Sequence, residues 1–138
     1  MSEGASVGQS SRAEGTPLAS PIRLPRPQPL VERIAVRSAG RIVIVPVHAI
    51  VRIEACDNHV RLWTDRCLLH KETLTHLSAR LDPRRFLRVH RCHVVNVAAV
   101  RELARRERGE FDILLSDGTS MRTGRTFRHE VNAAFGLD

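Results

Sequence analysis

Arg85-Phe86-Leu87-Arg88-Val89-His90-Arg91-Cys92-His93-Val94-Val95-Asn96-Val97 is the stretch on which the reading of this chain turns. Phe86, Leu87, Val89, Val94, Val95 and Val97 are apolar and suit a buried strand or strand-turn. Interleaved with them are Arg85, Arg88, His90, Arg91 and His93, all cationic or able to become so. A core segment seldom carries that much positive charge unless something anionic sits beside it.

On its N-terminal side, residues 33–37 and 41–45 flank Ser38-Ala39-Gly40, a hairpin signal with glycine available for positive φ. Pro46 ends that strand or puts it at a sheet edge. Residues 49–55 form a second β-branched run, and Asp57-Asn58 reads as a turn. Residues 59–64 then alternate, with Val60 and Leu62 on one face and His59, Arg61 and Trp63 on the other. Asp65-Arg66 turns the chain into 67–70. The period changes at Leu74, Leu77 and Leu81, spaced i, i+3, i+7 as on a short helix, which Asp82-Pro83 stops.

On the C-terminal side, 99–105 and 110–115 are strands about a loop at 106–109, with Phe111, Ile113 and Leu115 on one face. Ser116-Asp117-Gly118 is a turn and 119–122 a short strand. A last helix runs from Gly124 to about Phe135, with Thr123 as its N-cap. The class is mainly β, antiparallel, with two short helices. Residues 1–30 hold five of the seven prolines and read as a disordered Pro/Ser/Gly-rich tail, leaving 31–138 as one folded domain.

The pattern F-x-R-x-H-R-x-H-x-V-N at residues 86–96 resembles the signature of the LytTR family of bacterial DNA-binding domains. Ile50-Val51-Arg52-Ile53-Glu54-Ala55 is similar to that family's "dI-x-x-I-E-a" strand. Leu74-Thr75-His76-Leu77-Ser78-Ala79-Arg80-Leu81 is similar to its "tL-x-x-L-x-x-x-L" helix. Asp117-Gly118-Thr119-Ser120-Met121-Arg122-Thr123-Gly124-Arg125 is similar to its "dG-x-x-i-p-v-s-R" ending. The four motifs stand in order, and the resemblance covers about residues 31–135. The resemblance implies small antiparallel sheets packed together, with loops facing double-stranded DNA.

Composition agrees with a polyanionic partner. The net charge is +7, and of 22 basic residues only Lys71 is lysine. Arginine's planar fork suits phosphate and guanine edges. Four Phe, one Trp and no Tyr argue against single-stranded nucleic acid, which calls for stacking platforms. No apolar run is long enough to span a bilayer, and no secretory h-region opens the chain. Cys56, Cys67 and Cys92 read as reduced thiols of a cytoplasmic protein.

Carried over by resemblance, His59, Arg91 and Arg125 each belong to a DNA-facing loop, with His90 beside Arg91 in the central motif. Arg91 and Arg125 are suited to guanine or phosphate, and His59 to a base edge when neutral or a phosphate when protonated. Arg61, Lys71, Arg88 and Arg122 are expected at the DNA backbone, with Arg88 pairing Glu54 as the alternative. Thr123 opens the last helix, whose first amides could hold a phosphate. Cys92 stands where the family more often has Ser, which weakens one phosphate interaction. Gly124 replaces a small apolar residue or Ser, which makes the Arg125 loop more flexible. Asn96 is read as structural, its amide satisfying backbone groups at a turn.

Two other chemistries are weighed and set aside. Cys56-x-x-His59, Cys67-x-x-His70 and His90-x-Cys92-His93 hold zinc-type ligands, but i and i+3 on a strand point to opposite faces. Cys92 between two histidines suggests a thiol nucleophile, but strand neighbours do not meet the required geometry. The expectation is therefore a non-enzymatic, sequence-specific DNA-binding regulator without cofactor or small-molecule substrate. Two copies on direct repeats, bent DNA and a membrane-bound or soluble regulatory partner follow from the resemblance. The alternative is a protein-interaction module that no longer reads DNA, redox- or zinc-modulated. Thirty Pro-rich residues are too few for the receiver domain such proteins often carry, so a free-standing protein or an excised domain is expected.

Overall fold

The computed structural model describes residues 30–137. The expected tail therefore lies, but for Leu30, outside the described residues. Among the described residues ten strands form three antiparallel sheets. β1 (Arg33–Ser38) and β2 (Arg41–Pro46) make a separate hairpin. Its two-residue turn places Ala39 at φ 48° and Gly40 at φ 77°, the left-handed pair that matches strand twist.

The central sheet has five strands. They are β3 (Arg52–Cys56), β4 (His59–Trp63), β5 (Cys67–His70), β6 (Phe86–His90) and β7 (His93–Asn96), in the order β5-β4-β3-β7-β6. Helix α1 (Leu74–Arg80) links β5 to β6, with Thr73 accepting from the His76 N–H as N-cap. β8 (Val100–Arg105), β9 (Phe111–Leu115) and β10 (Ser120–Arg122) form the third sheet. The chain ends in a 3-10 turn, Arg125–Phe127, and helix α2 (Arg128–Phe135). No helix among the described residues is long and apolar enough to cross a membrane.

The central sheet separates two cores. Ile53, Val60, Leu62, Phe86 and Val94 point to one side, where the β1–β2 hairpin (Ile34, Val36, Val45) and α1 (Leu74, Leu77) cover them. Leu87, Val89 and Val95 point to the other, against Phe111, Ile113 and Leu115 of the third sheet and Val131 of α2. The unbroken apolar pairs Phe86-Leu87 and Val94-Val95 are explained by this: neighbouring residues on one strand serve opposite cores. The expected alternation at 59–63 and the expected leucine stripe of α1 both appear, buried side inward.

Two helical details differ from expectation. The last helix does not begin as one α-helix at Gly124, because a 3-10 turn precedes it. Thr123 is not its N-cap. The Thr123 side chain is buried, and its hydroxyl accepts from the Phe111 N–H at 3.1 Å, tying β10's end to β9.

Candidate nucleic-acid interface

Three turns lie side by side at one end of the molecule. The β3–β4 turn holds Asp57-Asn58, the β6–β7 turn holds Arg91-Cys92, and the third is Thr123-Gly124-Arg125. Two backbone hydrogen bonds tie them together. The Ala55 N–H donates to the Cys92 carbonyl at 2.8 Å, and the Gly124 N–H donates to the Val89 carbonyl at 2.8 Å. A register shift between Arg88 and His90 leaves Val89 out of the β6–β7 pairing. Such a bulge frees a backbone group, and Gly124 takes it. His59, Arg91 and Arg125 are thereby brought to neighbouring turns.

Arg91 sits exposed at the tip of its turn, and its side chain has no ion pair with a described residue. Its peptide is held from behind. Arg88 Nη2 donates to the Arg91 carbonyl at 2.6 Å, and Nη1 reaches Thr75 Oγ1 at 3.5 Å. Arg88 is thus neither free for a phosphate nor paired with Glu54. Glu54 instead faces Arg61 and His93, each at 3.6 Å. An alternating apolar–cationic sequence does not reveal which cation is drawn inward.

His90 shapes the same turn. Its Nδ1 lies 3.1 Å from the Cys92 N–H and accepts from it, and its ring meets His93 edge-on at 5.5 Å between centroids. That hydrogen bond requires an unprotonated Nδ1. Burial holds the His93 pKa below its usual value; Glu54 opposes this, while His90 and Arg52 reinforce it. His93 is accordingly neutral at pH 7.

Arg125 is exposed and stands 4.0 Å from Glu110. Beyond it, Arg122 and Arg106 share Asp112 at 3.4 and 3.5 Å. Arg105, Arg106, Arg108 and Arg122 line a concavity with Glu107 and Glu110. Residues 106–109 read only as a loop in the sequence, yet they extend the basic end. The signal for them was Arg105-Arg106-Glu107-Arg108, three arginines in four positions. At the other end of the row, His59 lines a groove with Arg37, Ser38 and Lys71. Thr123 does not join the surface, because its side chain is buried between β9 and β10.

Asn96 is buried, and its amide satisfies backbone groups as expected. Nδ2 donates to the Ile50 carbonyl at 2.9 Å, and Oδ1 accepts from the Ala98 N–H at 3.0 Å. Gly124 has φ −76°, open to any residue, but a Cβ there would lie 3.3 Å from the Phe127 ring.

The zinc-type pairs behave differently from one another. Cys56 and His59 are directly opposite across the β3–β4 turn, so they share a face rather than diverging. Cys67 and His70 sit on the single strand β5, on alternate faces. Among the described residues no three of His, Cys, Asp and Glu are grouped to hold a metal ion, and the three thiols are unpaired.

Comparison with known proteins gives one consistent result. The family model of the LytTr DNA-binding domain matches residues 40–136. The transcriptional regulatory protein LytR of Staphylococcus aureus (strain N315) is 30% identical over 66 residues, covering 48% of this chain and 27% of that protein. The sensory transduction protein LytT of Bacillus subtilis (strain 168) is 28% identical over 100 residues, covering 72% of this chain and 42% of that one. The chain thus spans less than half the length of these relatives. A solved structure, the LytTr DNA-binding domain of a putative methyl-accepting/DNA response regulator from Bacillus cereus, superposes with TM-score 0.70 at 18% identity. It covers 77% of this chain and 98% of its own, a likeness of fold.

Proposed function

Because the chain belongs to the LytTR family of DNA-binding domains, we propose that it binds double-stranded DNA sequence-specifically through its three adjacent turns, as a cytoplasmic transcriptional regulator. The observation that carries this reading is the pair of backbone hydrogen bonds, Ala55 to Cys92 and Gly124 to Val89, that sets the three turns in one row. A row of fixed turns can enter successive grooves as a unit, with little ordering cost on binding.

Arg91 and Arg125 are the base readers or phosphate clamps, and His59 works at a base edge. Arg61, Lys71 and Arg122 neutralise backbone charge, joined by Arg106 and Arg108. Arg88 and His90 act one step back, as positioning residues that hold the Arg91 turn. The folded unit is the segment after the Pro-rich tail. Two copies on direct repeats, DNA bending and control by a membrane-bound or soluble protein complete the reading.

Binding to a fragment from upstream of the protein's own gene, titrated with salt beside a scrambled duplex, tests it. Specific readout predicts a preference for the genomic fragment and a steep fall of log affinity with log salt on both. A steep fall without preference across genomic fragments reduces the protein to a non-specific basic binder. No binding to either at low salt would leave the protein-interaction reading in its place.

A further inference from the structure

The hairpin β1–β2 stands on the far side of the molecule's first core, and among the described residues no strand pairs with the outer edge of β2. The two-residue turn decides the chemistry of that edge. Ser38 lies opposite Arg41, Val36 opposite Val43 and Ile34 opposite Val45, and after such a turn these are the pairs that exchange hydrogen bonds. Ile42 and Ile44 occupy the positions between. Their N–H and C=O groups therefore point away from β1. Their side chains are uncovered too, at 61% and 54% exposed, on the face opposite buried Ile34, Val36 and Val45. Edges of this kind are ordinarily blunted by charge, proline or a bulge. This hairpin has no bulge, and Arg41 and Pro46 stand only at its ends.

We infer that this edge is a self-association surface, on which β2 pairs antiparallel with β2 of a second copy about a two-fold axis through Val43. The register follows from the groups present. With Val43 opposite Val43, each Ile42 meets the other copy's Ile44, and the outward N–H and C=O groups of all four residues close hydrogen bonds. The four isoleucine side chains become cross-strand neighbours on one face. A shift in one direction sets Ile42 against Pro46, which has no N–H. A shift in the other sets Ile44 against Gly40, in the turn. In the favoured register Arg41 faces Val45, so no like charges meet across the seam.

The chain's own N-terminal segment is a poorer occupant. Pro17, Pro21, Pro25, Pro27 and Pro29 lack the N–H a ladder needs, and residues 2–16 contain Val7 as their one large aliphatic. β2 contributes six residues, against roughly 20–30 per side in a standard interface, so the pairing is weak and concentration-dependent. It is also two-fold symmetric, whereas neighbours on direct repeats are related by translation. The surface thus belongs to the free protein, or bridges separate sites.

Sedimentation equilibrium of the full chain tests this, beside Ile44→Lys and Ile44→Pro. Proline at 44 removes an outward donor and spares the β1–β2 ladder, while lysine charges the seam. A monomer–dimer equilibrium weakened roughly tenfold or more by either variant, with circular-dichroism melts unchanged, is the expected result. If the proline variant fails to fold, Ile42→Lys replaces it. Amide exchange adds a second readout: the Ile42 and Ile44 amides should slow as protein concentration rises, while Val43 and Val45 stay slow throughout. A wild-type chain monomeric to about 1 mM, a dimer indifferent to the variants, or Ile42 and Ile44 amides already protected in dilute solution would each overturn the inference.

Discussion

Arg88 and Arg91 are three residues apart and look equivalent in the sequence, but the fold gives them separate work. Arg91 is exposed at a turn, whereas Arg88 is turned back onto the Arg91 carbonyl. Arg91→Ala should therefore cost roughly 5–150-fold in affinity for the preferred duplex and leave the melting temperature unchanged. Arg88→Ala should lower both, because it frees the turn and removes a half-buried brace. Paired DNA-binding and thermal-melt measurements separate the two. Cys92→Ser restores a hydroxyl beside the same turn and should tighten binding by roughly 2–10-fold, the worth of one hydrogen bond. Asn96→Ala breaks two buried hydrogen bonds and should lower unfolding stability by about 1–3 kcal/mol, measured in urea. Asn96 was legible because an amide between apolar strand and turn has few other uses. Thr123 was misread because a threonine before a turn looks the same whether its hydroxyl caps a helix or reaches across to the next strand.

Among the elements, α1 shows most plainly what a periodic pattern conveys. Leu74, Leu77 and Leu81 announced the helix and its buried side. What anchors it was not announced. Glu72, at the β5–α1 junction, receives two hydrogen bonds from Arg80 at 2.9 and 3.0 Å and lies 2.9 Å from His70 Nε2 and 2.5 Å from His76 Nδ1. The cluster assembles only when the strand end and the helix face come together, so linear spacing hides it. Burial raises the Glu72 pKa, but hydrogen bonds from Arg80, His70 and His76 outweigh it and hold the value at about 2. A carboxylate depressed in the folded state stabilises the fold above its unfolded value of 4.5 and loses that contribution as pH falls from there towards 2. Thermal melts from pH 7 to pH 2.5 should show an acid decline that Glu72→Gln flattens, with the variant already less stable at pH 7 because Arg80 loses its partner.

For the whole molecule, the short strands outside 85–97 were readable from turns and alternation, but the splitting of 85–97 into two strands and the division of all ten into sheets of two, five and three were not. That division depends on which edges meet, and β3 pairs β7 across some forty intervening residues. The same tertiary placement carries the 106–108 arginines to the end of the molecule where Arg122 and Arg125 lie. Replacing Arg106 and Arg108 by alanine should weaken binding to all duplexes alike. The salt slope should fall by about one for each phosphate no longer neutralised, which a salt titration of the double variant beside the wild type would read. The central hairpin β6–β7 has a further consequence. Outside the bulge at Val89 its consecutive residues alternate between two cores, so a one-residue deletion or insertion at Phe86-Leu87 or Val94-Val95 would turn an apolar side chain from one core towards the other. The β8–β9 loop, rooted in one core and exposed, carries no such constraint. The length of the basic rim at 106–109 is therefore free to vary, whereas the two strands that carry the Arg91 turn are held to their present length by the cores on either side.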